Sequence, residues 1–143
     1  MTTPSAYTSG GAIGDVPIST EAHQFASVGD IEPLALLEGL RVRTVQGGHI
    51  TLGVVEMGPG LEMPEHRHVN EQVGVVVRGE FTFTVGGETR LRRPGDMWVI
   101  PPGVPHAVDS AGPDGCTVVE TFSPVRHDWA DAPREAPSTS PWP

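Results

Sequence analysis

The chain contains no lysine. Its nine basic residues are all arginine, set against eighteen acidic ones, for a formal net charge of −9. Binding nucleic acid requires a basic face that neutralises phosphates, and this composition supplies none. An anionic membrane surface is disfavoured for the same reason. The absence of lysine also removes a lysine Schiff base and a lysine general base from consideration. Cysteine is nearly absent too. Cys116 stands alone, so no internal disulfide forms and nothing calls for an oxidising compartment. It reads as a small hydrophobe beside a strand rather than a nucleophile. No apolar run approaches the length that crosses a bilayer. Residues Met1 to Asp15 carry neither the basic segment nor the apolar stretch of a signal peptide. A cytoplasmic protein is the expectation.

Glycine (18) and proline (15) are abundant in the 143 residues, which favours short strands joined by turns over long helices. The length suits one domain with a real core. Residues 1–20, rich in Ser, Thr and Gly, read as a flexible arm or a strand swapped onto a partner. Residues 21–131 form the body, and the proline-rich 132–143 read as a disordered tail. Within the body, Gly39 to Gln46 and His49 to Met57 flank the turn signal Gly47-Gly48. Glu71 to Arg78 is a valine-rich strand that Gly79 is expected to end. Glu80 to Val85 places Phe81, Phe83 and Val85 on one face, and Gly86-Gly87 turns the chain into Glu88 to Leu91. Met97 to Ile100 and Thr117 to Ser123 complete the set, with a weak helical signal at Ile31 to Leu37. Many short strands at regular spacing point to an all-β sandwich or barrel, and closing the sheet removes exposed strand edges.

The chemistry starts at His66-Arg67-His68. Residues two apart on a strand point the same way, so both imidazoles reach one point. Gln72 follows four residues later, and His106 comes after the rigid turn Pro101-Pro102-Gly103. Three imidazoles and an amide oxygen suit one divalent ion: zinc first, with nickel, cobalt, iron or manganese as possible occupants. Gln72 has a second reading, as a hydrogen-bond partner beside a three-histidine ion. His23, His49 and His127 read as ordinary surface or packed residues. The spacing Gly60, His66, His68, Gln72, Gly79 resembles the first motif of the cupins. The spacing Gly95, Pro101, Gly103, His106 resembles the second. The resemblance covers roughly Leu40 to Ser123 and implies a cupin jelly-roll (double-stranded β-helix) barrel. The family usually has Glu at the position of Gln72 and Asn at that of Ser110. With Gln72 all four ligands are neutral, so the ion keeps its full charge. That favours Lewis-acid over redox chemistry.

A second cluster closes the body: Glu120-Thr121-Phe122-Ser123-Pro124-Val125-Arg126. Period two puts Glu120 and Phe122 on the face of Val118. Glu120 is a candidate acid or base, or else it faces solvent or pairs with Arg126. The run resembles that of the pectin-degradation cupins that linearise unsaturated uronates, and so does Asn70-Glu71-Gln72. The likeness implies that Glu120, Phe122 and Arg126 line the site. That family has Asp where this chain has Glu120. The whole chain also resembles the cupin-type aromatic polyketide cyclases of the resistomycin type, which are zinc enzymes of this size. The reading is a metal-dependent, non-redox cyclase of a poly-β-keto substrate, free or bound to a carrier protein. Glu120 and Arg126 are catalytic, and Gly74, Val76, Phe122 and Trp98 form the substrate pocket, Gly74 leaving room beside the ion. Such cupins pair through their N-terminal strands, so a homodimer is expected. The rival readings are a uronate ring-opening cupin, an Fe(II) dioxygenase and a small-ligand binding module.

Overall fold

A computed structural model describes residues 21–137. The expected N-terminal arm (1–20) and the last six residues of the expected tail lie outside them. Eight strands run in chain order: β1 (Leu34–Leu37), β2 (Leu40–Gln46), β3 (Thr51–Met57), β4 (Met63–His66), β5 (Glu71–Val85), β6 (Glu88–Arg92), β7 (Met97–Ile100) and β8 (His106–Ser123). Two long strands organise the rest. The first half of β5 lies between β7 and the second half of β8, and that sheet continues through β3 and β2 to β1. The second half of β5 lies between β6 and the first half of β8, which in turn pairs β4. One antiparallel sheet is thus bent into two halves whose inner faces pack together. This is the jelly-roll barrel that closure of the edges demanded.

The alternation read in the sequence sets the inner face. Phe81 and Phe83 from one half, and Val42, Val55, Val76, Trp98 and Val118 from the other, are buried in a single core. The two Phe rings meet Trp98 edge-on, with centroids 5.5 Å apart. Burial of each such side chain contributes about 1.5–3 kcal/mol. Both glycine-pair hairpins form as read. At Gly86-Gly87 the φ angles of 56° and 83° match the turn that a right-twisted hairpin prefers.

Four expectations are corrected. The helical signal at Ile31 to Leu37 gives way to β1, where Leu34 pairs Val42 at the sheet edge. Tertiary pairing overrides the helical preference of leucine there. Gly79 does not end its strand. With φ 71° it bends β5 between its two halves. The last strand begins at His106, not Thr117: Gly112, Pro113 and Gly115 sit at its bend and do not break it. Ala132 to Glu135, in the segment read as tail, lie along β1. Arg134 bridges Leu34, and the Glu135 amide donates to the Pro33 carbonyl at 2.8 Å. Cys116 is fully buried, and burial pushes its thiol up to about 12, in keeping with a packed residue. Among the described residues no helix is long and apolar enough to cross a membrane.

Candidate metal centre

β4 and β8 begin the centre. Their register sets His66 directly opposite His106. His68 was expected on the same strand as His66. It lies instead in the loop two residues past the end of β4, and the loop rather than strand period turns it inward. The three rings converge all the same. The centroids of His66 and His68 lie 4.3 and 4.9 Å from that of His106. One ligand nitrogen from each lies within 4.8 Å of the others.

The tautomers follow from the partners. Nδ1 of His66 lies 2.8 Å from the Pro64 carbonyl, that of His68 3.0 Å from Asn70 and that of His106 2.9 Å from Val104. A carbonyl oxygen only accepts, so each Nδ1 carries the proton and donates. With Nδ1 committed to a carbonyl, Nε2 is the nitrogen each ring leaves for the shared point, as backbone carbonyls arrange in metal-ligating histidines. Nε2 of His106 is buried with no hydrogen-bond partner. An orphaned acceptor of this kind is costly unless something electron-poor uses it. Burial also holds His106 at about 4 and lowers His68, with the nearby Arg126 guanidinium adding to the effect on His68. Both rings stay neutral and available as ligands. The residues fit a divalent cation.

Gln72 brings an amide oxygen beside the histidines. It opens β5, is buried, and its Oε1 lies 3.0 Å from Nε2 of His68. Its amide nitrogen donates to Glu120 Oε1 at 2.7 Å. Glu120 is therefore neither solvent-facing nor paired with Arg126. It is enclosed, and burial raises it to about 7 against the lowering effects of Gln72, Trp98 and Arg126. The Trp98 indole N–H is directed at this carboxylate without reaching the geometry of a full hydrogen bond. Arg126 instead grips Asp128 through Nε and Nη2 at 2.9 and 2.8 Å, which lowers the Asp128 carboxyl. Its guanidinium lies 3.9 Å from the Trp129 ring centre and 4.9 Å from that of Phe122. Asn70 ties this segment to the histidine loop by donating to the Pro124 and Val125 carbonyls.

His66, His106, Gln72, Glu120, Phe122 and Arg126 line a cavity of about 340 Å³, and His68 sits beside it against Gln72. Apart from Glu65, its remaining wall is apolar and draws on Leu36, Leu40, Met57, Phe83 and Trp129. Three of the expected pocket residues do not line it. A Cβ on Gly74 would meet the Trp98 ring at 2.5 Å, so Gly74 makes room for the indole and not for a substrate. Trp98 and Val76 belong to the core behind the site. Sequence reasoning missed Asp128, Trp129 and the pinning role of Asn70. Only the spacing of Asp128, two residues past a candidate arginine, offered a signal.

Opposed titrations in the metal-free protein make one prediction. His106 has its folded-state value lowered, so its contribution is present above about 6.5 and is lost as pH falls toward about 4. Glu120 has its value raised, so its contribution is present below about 4.5 and is lost as pH rises through about 7. Between pH 4.5 and 6.5 the two slopes oppose. Glu120→Gln removes the falling one. Urea unfolding of the chelator-treated variant should therefore show stability climbing with pH more steeply than in the wild type.

A jelly-roll barrel with three imidazoles and an amide oxygen converging inside it defines a class of metal-site β-barrels. The chain belongs to the cupin superfamily: residues 53–122 match Cupin_2, the cupin domain. The chain is 39% identical over 61 residues to the cupin-domain-containing oxidoreductase fogC of Aspergillus ruber, covering 39% of this chain and 30% of that protein. It is 32% identical over 65 residues to the pectin degradation protein KdgF of Dickeya dadantii, covering 45% and 58%. The matches thus span less than two thirds of either relative. Among solved structures, an RmlC-like cupin from Shewanella frigidimarina matches with TM-score 0.70 and 28% identity, covering 76% of this chain and 97% of that one. KdgF from a Halomonas species matches with TM-score 0.69 and 27% identity, covering 75% and 98%. Relatives named for enzymatic and degradative roles accord with an enzyme.

Proposed function

We propose that this domain is a zinc-dependent, non-redox cyclase that closes a ring in a poly-β-keto precursor of an aromatic polyketide. The observation that carries the reading is the cavity: His66, His106, Gln72 and Glu120 line one part of it beside His68, and most of the remaining wall is apolar. A divalent ion held by His66, His68, Gln72 and His106 supplies a Lewis acid for carbonyl oxygens. Glu120 accepts a proton from a methylene between two carbonyls. An acid near 7 holds and releases protons readily at neutral pH. The resulting carbanion attacks a second carbonyl in the chain, whose oxygen takes up a proton, and loss of water completes the ring. The apolar wall excludes solvent and limits which carbons meet. Arg126, stacked and tied to Asp128, acts as a fixed positive charge at that end. The substrate arrives free or on a carrier protein. In the same reading the protein is a cytoplasmic homodimer. Val73, Val99 and Met97, exposed on the outer face of β5 and β7, support an association surface.

The likeness to the two KdgF proteins favours a second reading, ring opening of an unsaturated uronate. Against it, the arginine that would hold a sugar carboxylate already holds Asp128. Incubating the zinc-loaded protein with a poly-β-ketone and, separately, with an unsaturated uronate separates the two. Loss of the ketone with release of water and a new aromatic absorbance supports cyclisation, whereas turnover of the uronate alone overturns it. Oxygen consumption would point to the dioxygenase reading, and no turnover at all to a binding module. Glu120→Gln is expected to lower turnover by about 100-fold or more even at saturating zinc.

A further inference from the structure

An amide is nearly symmetric in shape and asymmetric in chemistry. Its oxygen ligates a cation, and its NH2 group has no lone pair to give. A glutamine ligand therefore works only if something decides which end faces the ion. Oε1 of Gln72 faces Nε2 of His68 at 3.0 Å, and that nitrogen presents a lone pair because its ring proton is committed to the Asn70 carbonyl. Two lone pairs this close repel in the absence of a cation, so by itself the amide would turn its NH2 toward the imidazole. The group that opposes this is Glu120, which accepts from the other end of the amide at 2.7 Å. In its ionised form the carboxylate has no donor to offer an amide oxygen. Register makes the pairing possible: Gln72 and Glu120 lie diagonally across adjacent strands, Gly74 opposite Glu120 and Gln72 opposite Phe122. The absence of a side chain on Gly74 lets the Trp98 ring close over that pair.

We infer that Glu120 is a positioning residue that locks the Gln72 amide with its oxygen toward the metal. The domain thereby presents a neutral oxygen ligand and keeps the carboxylate of the pair one residue further out. The inference rests on the metal-centre reading above and adds a role for Glu120 that is separate from proton transfer.

The test is zinc affinity, measured by competition with a chromophoric chelator, for Glu120→Met in two backgrounds. In the wild-type background the loss of the acceptor should weaken zinc by about 10- to 100-fold, the usual cost of removing a group that orients a ligand. Glu120→Gln offers an NH2 as well as an oxygen and no longer tells the two ends of the Gln72 amide apart, so it should also weaken zinc, by less than Glu120→Met because one of its orientations keeps the bond. In a Gln72→Glu background both ends of the ligand are oxygens and nothing needs orienting, so Glu120→Met should cost no affinity there. Equal losses in both backgrounds would mark Glu120 as merely structural and overturn the lock, as would wild-type affinity in Glu120→Met. Should Glu120→Met fail to fold, side-chain amide exchange by 15N NMR on the wild-type zinc protein decides. The Gln72 NH2 should exchange at least about 100-fold more slowly than that of exposed Gln24, as a bonded buried donor does, and equal rates overturn the lock. A wild-type protein that takes up no zinc fails the metal reading itself, whereas zinc uptake without coupling between positions 72 and 120 fails this inference alone.

Discussion

His106→Ala should weaken zinc binding by about two to three orders of magnitude and lower turnover with it. Binding of zinc by four protein donors is worth about 10–16 kcal/mol, or about 2.5–4 kcal/mol per donor, so removing one weakens binding by about 100- to 1000-fold. His106 is the donor whose loss costs most. It is the most buried of the three imidazoles, its Nδ1 proton is held by the Val104 carbonyl, and its Nε2 has no protein partner. The alanine also leaves a gap against the Phe83 ring, whose centroid lies 6.2 Å from that of His106. Thermal unfolding with and without added zinc checks the result independently of any substrate. A ligand that binds only the folded state raises the midpoint as its concentration exceeds Kd. The midpoint of His106→Ala should begin to climb only at about 100- to 1000-fold more zinc than that of the wild type. An equal climb in both would remove His106 from the ligand set.

Much of this was legible in the sequence, for identifiable reasons. Fixed spacings around glycine and proline placed His66, His68, Gln72 and His106, because the turns at Gly60, Gly95 and Gly103 all need positive φ, and only glycine adopts that cheaply. The alternation of Phe81 and Phe83 gave the inner face, since strand period is two whatever the fold. Other features depended on contacts between distant segments. The pocket assignment of Gly74 failed because an absent side chain reads as open space until the register of β7 brings Trp98 across it. Arg126 was read toward Glu120 or a substrate because nothing local shows that the turn at His127 to Trp129 carries Asp128 back under the guanidinium. The helix-like Ile31 to Leu37 became an edge strand through pairing with Val42. Glu120 was located correctly by parity, but its hydrogen bond to Gln72 spans 48 residues and belongs to the fold alone.

The bend in β5 supplies the second large effect, on the barrel itself. Gly79→Ala should destabilise the protein by about 3 kcal/mol or more, and Gly87→Ala by only about 1 kcal/mol, the cost of a left-handed conformation alone. Both glycines have positive φ, 71° and 83°. A Cβ at Gly87 meets nothing within 4 Å, whereas one at Gly79 would lie 2.1 Å from the Gly115 carbonyl oxygen and 3.0 Å from the Cys116 Cα. Those are backbone atoms of β8, paired to β5 at this point, and no rotamer moves them aside. Relief requires the two longest strands to part where both bend, and their two ends carry Gln72 and Glu120 in one half and His106 in the other. The expected readout is a fall in melting temperature of about 10 °C or more for Gly79→Ala, against a few degrees for Gly87→Ala. The zinc-dependent rise should be smaller in Gly79→Ala, because the donors it disturbs sit on both sides of the bend. Equal shifts for the two variants would mean that the left-handed conformation alone sets the cost at Gly79, and that β5 and β8 have slack to separate.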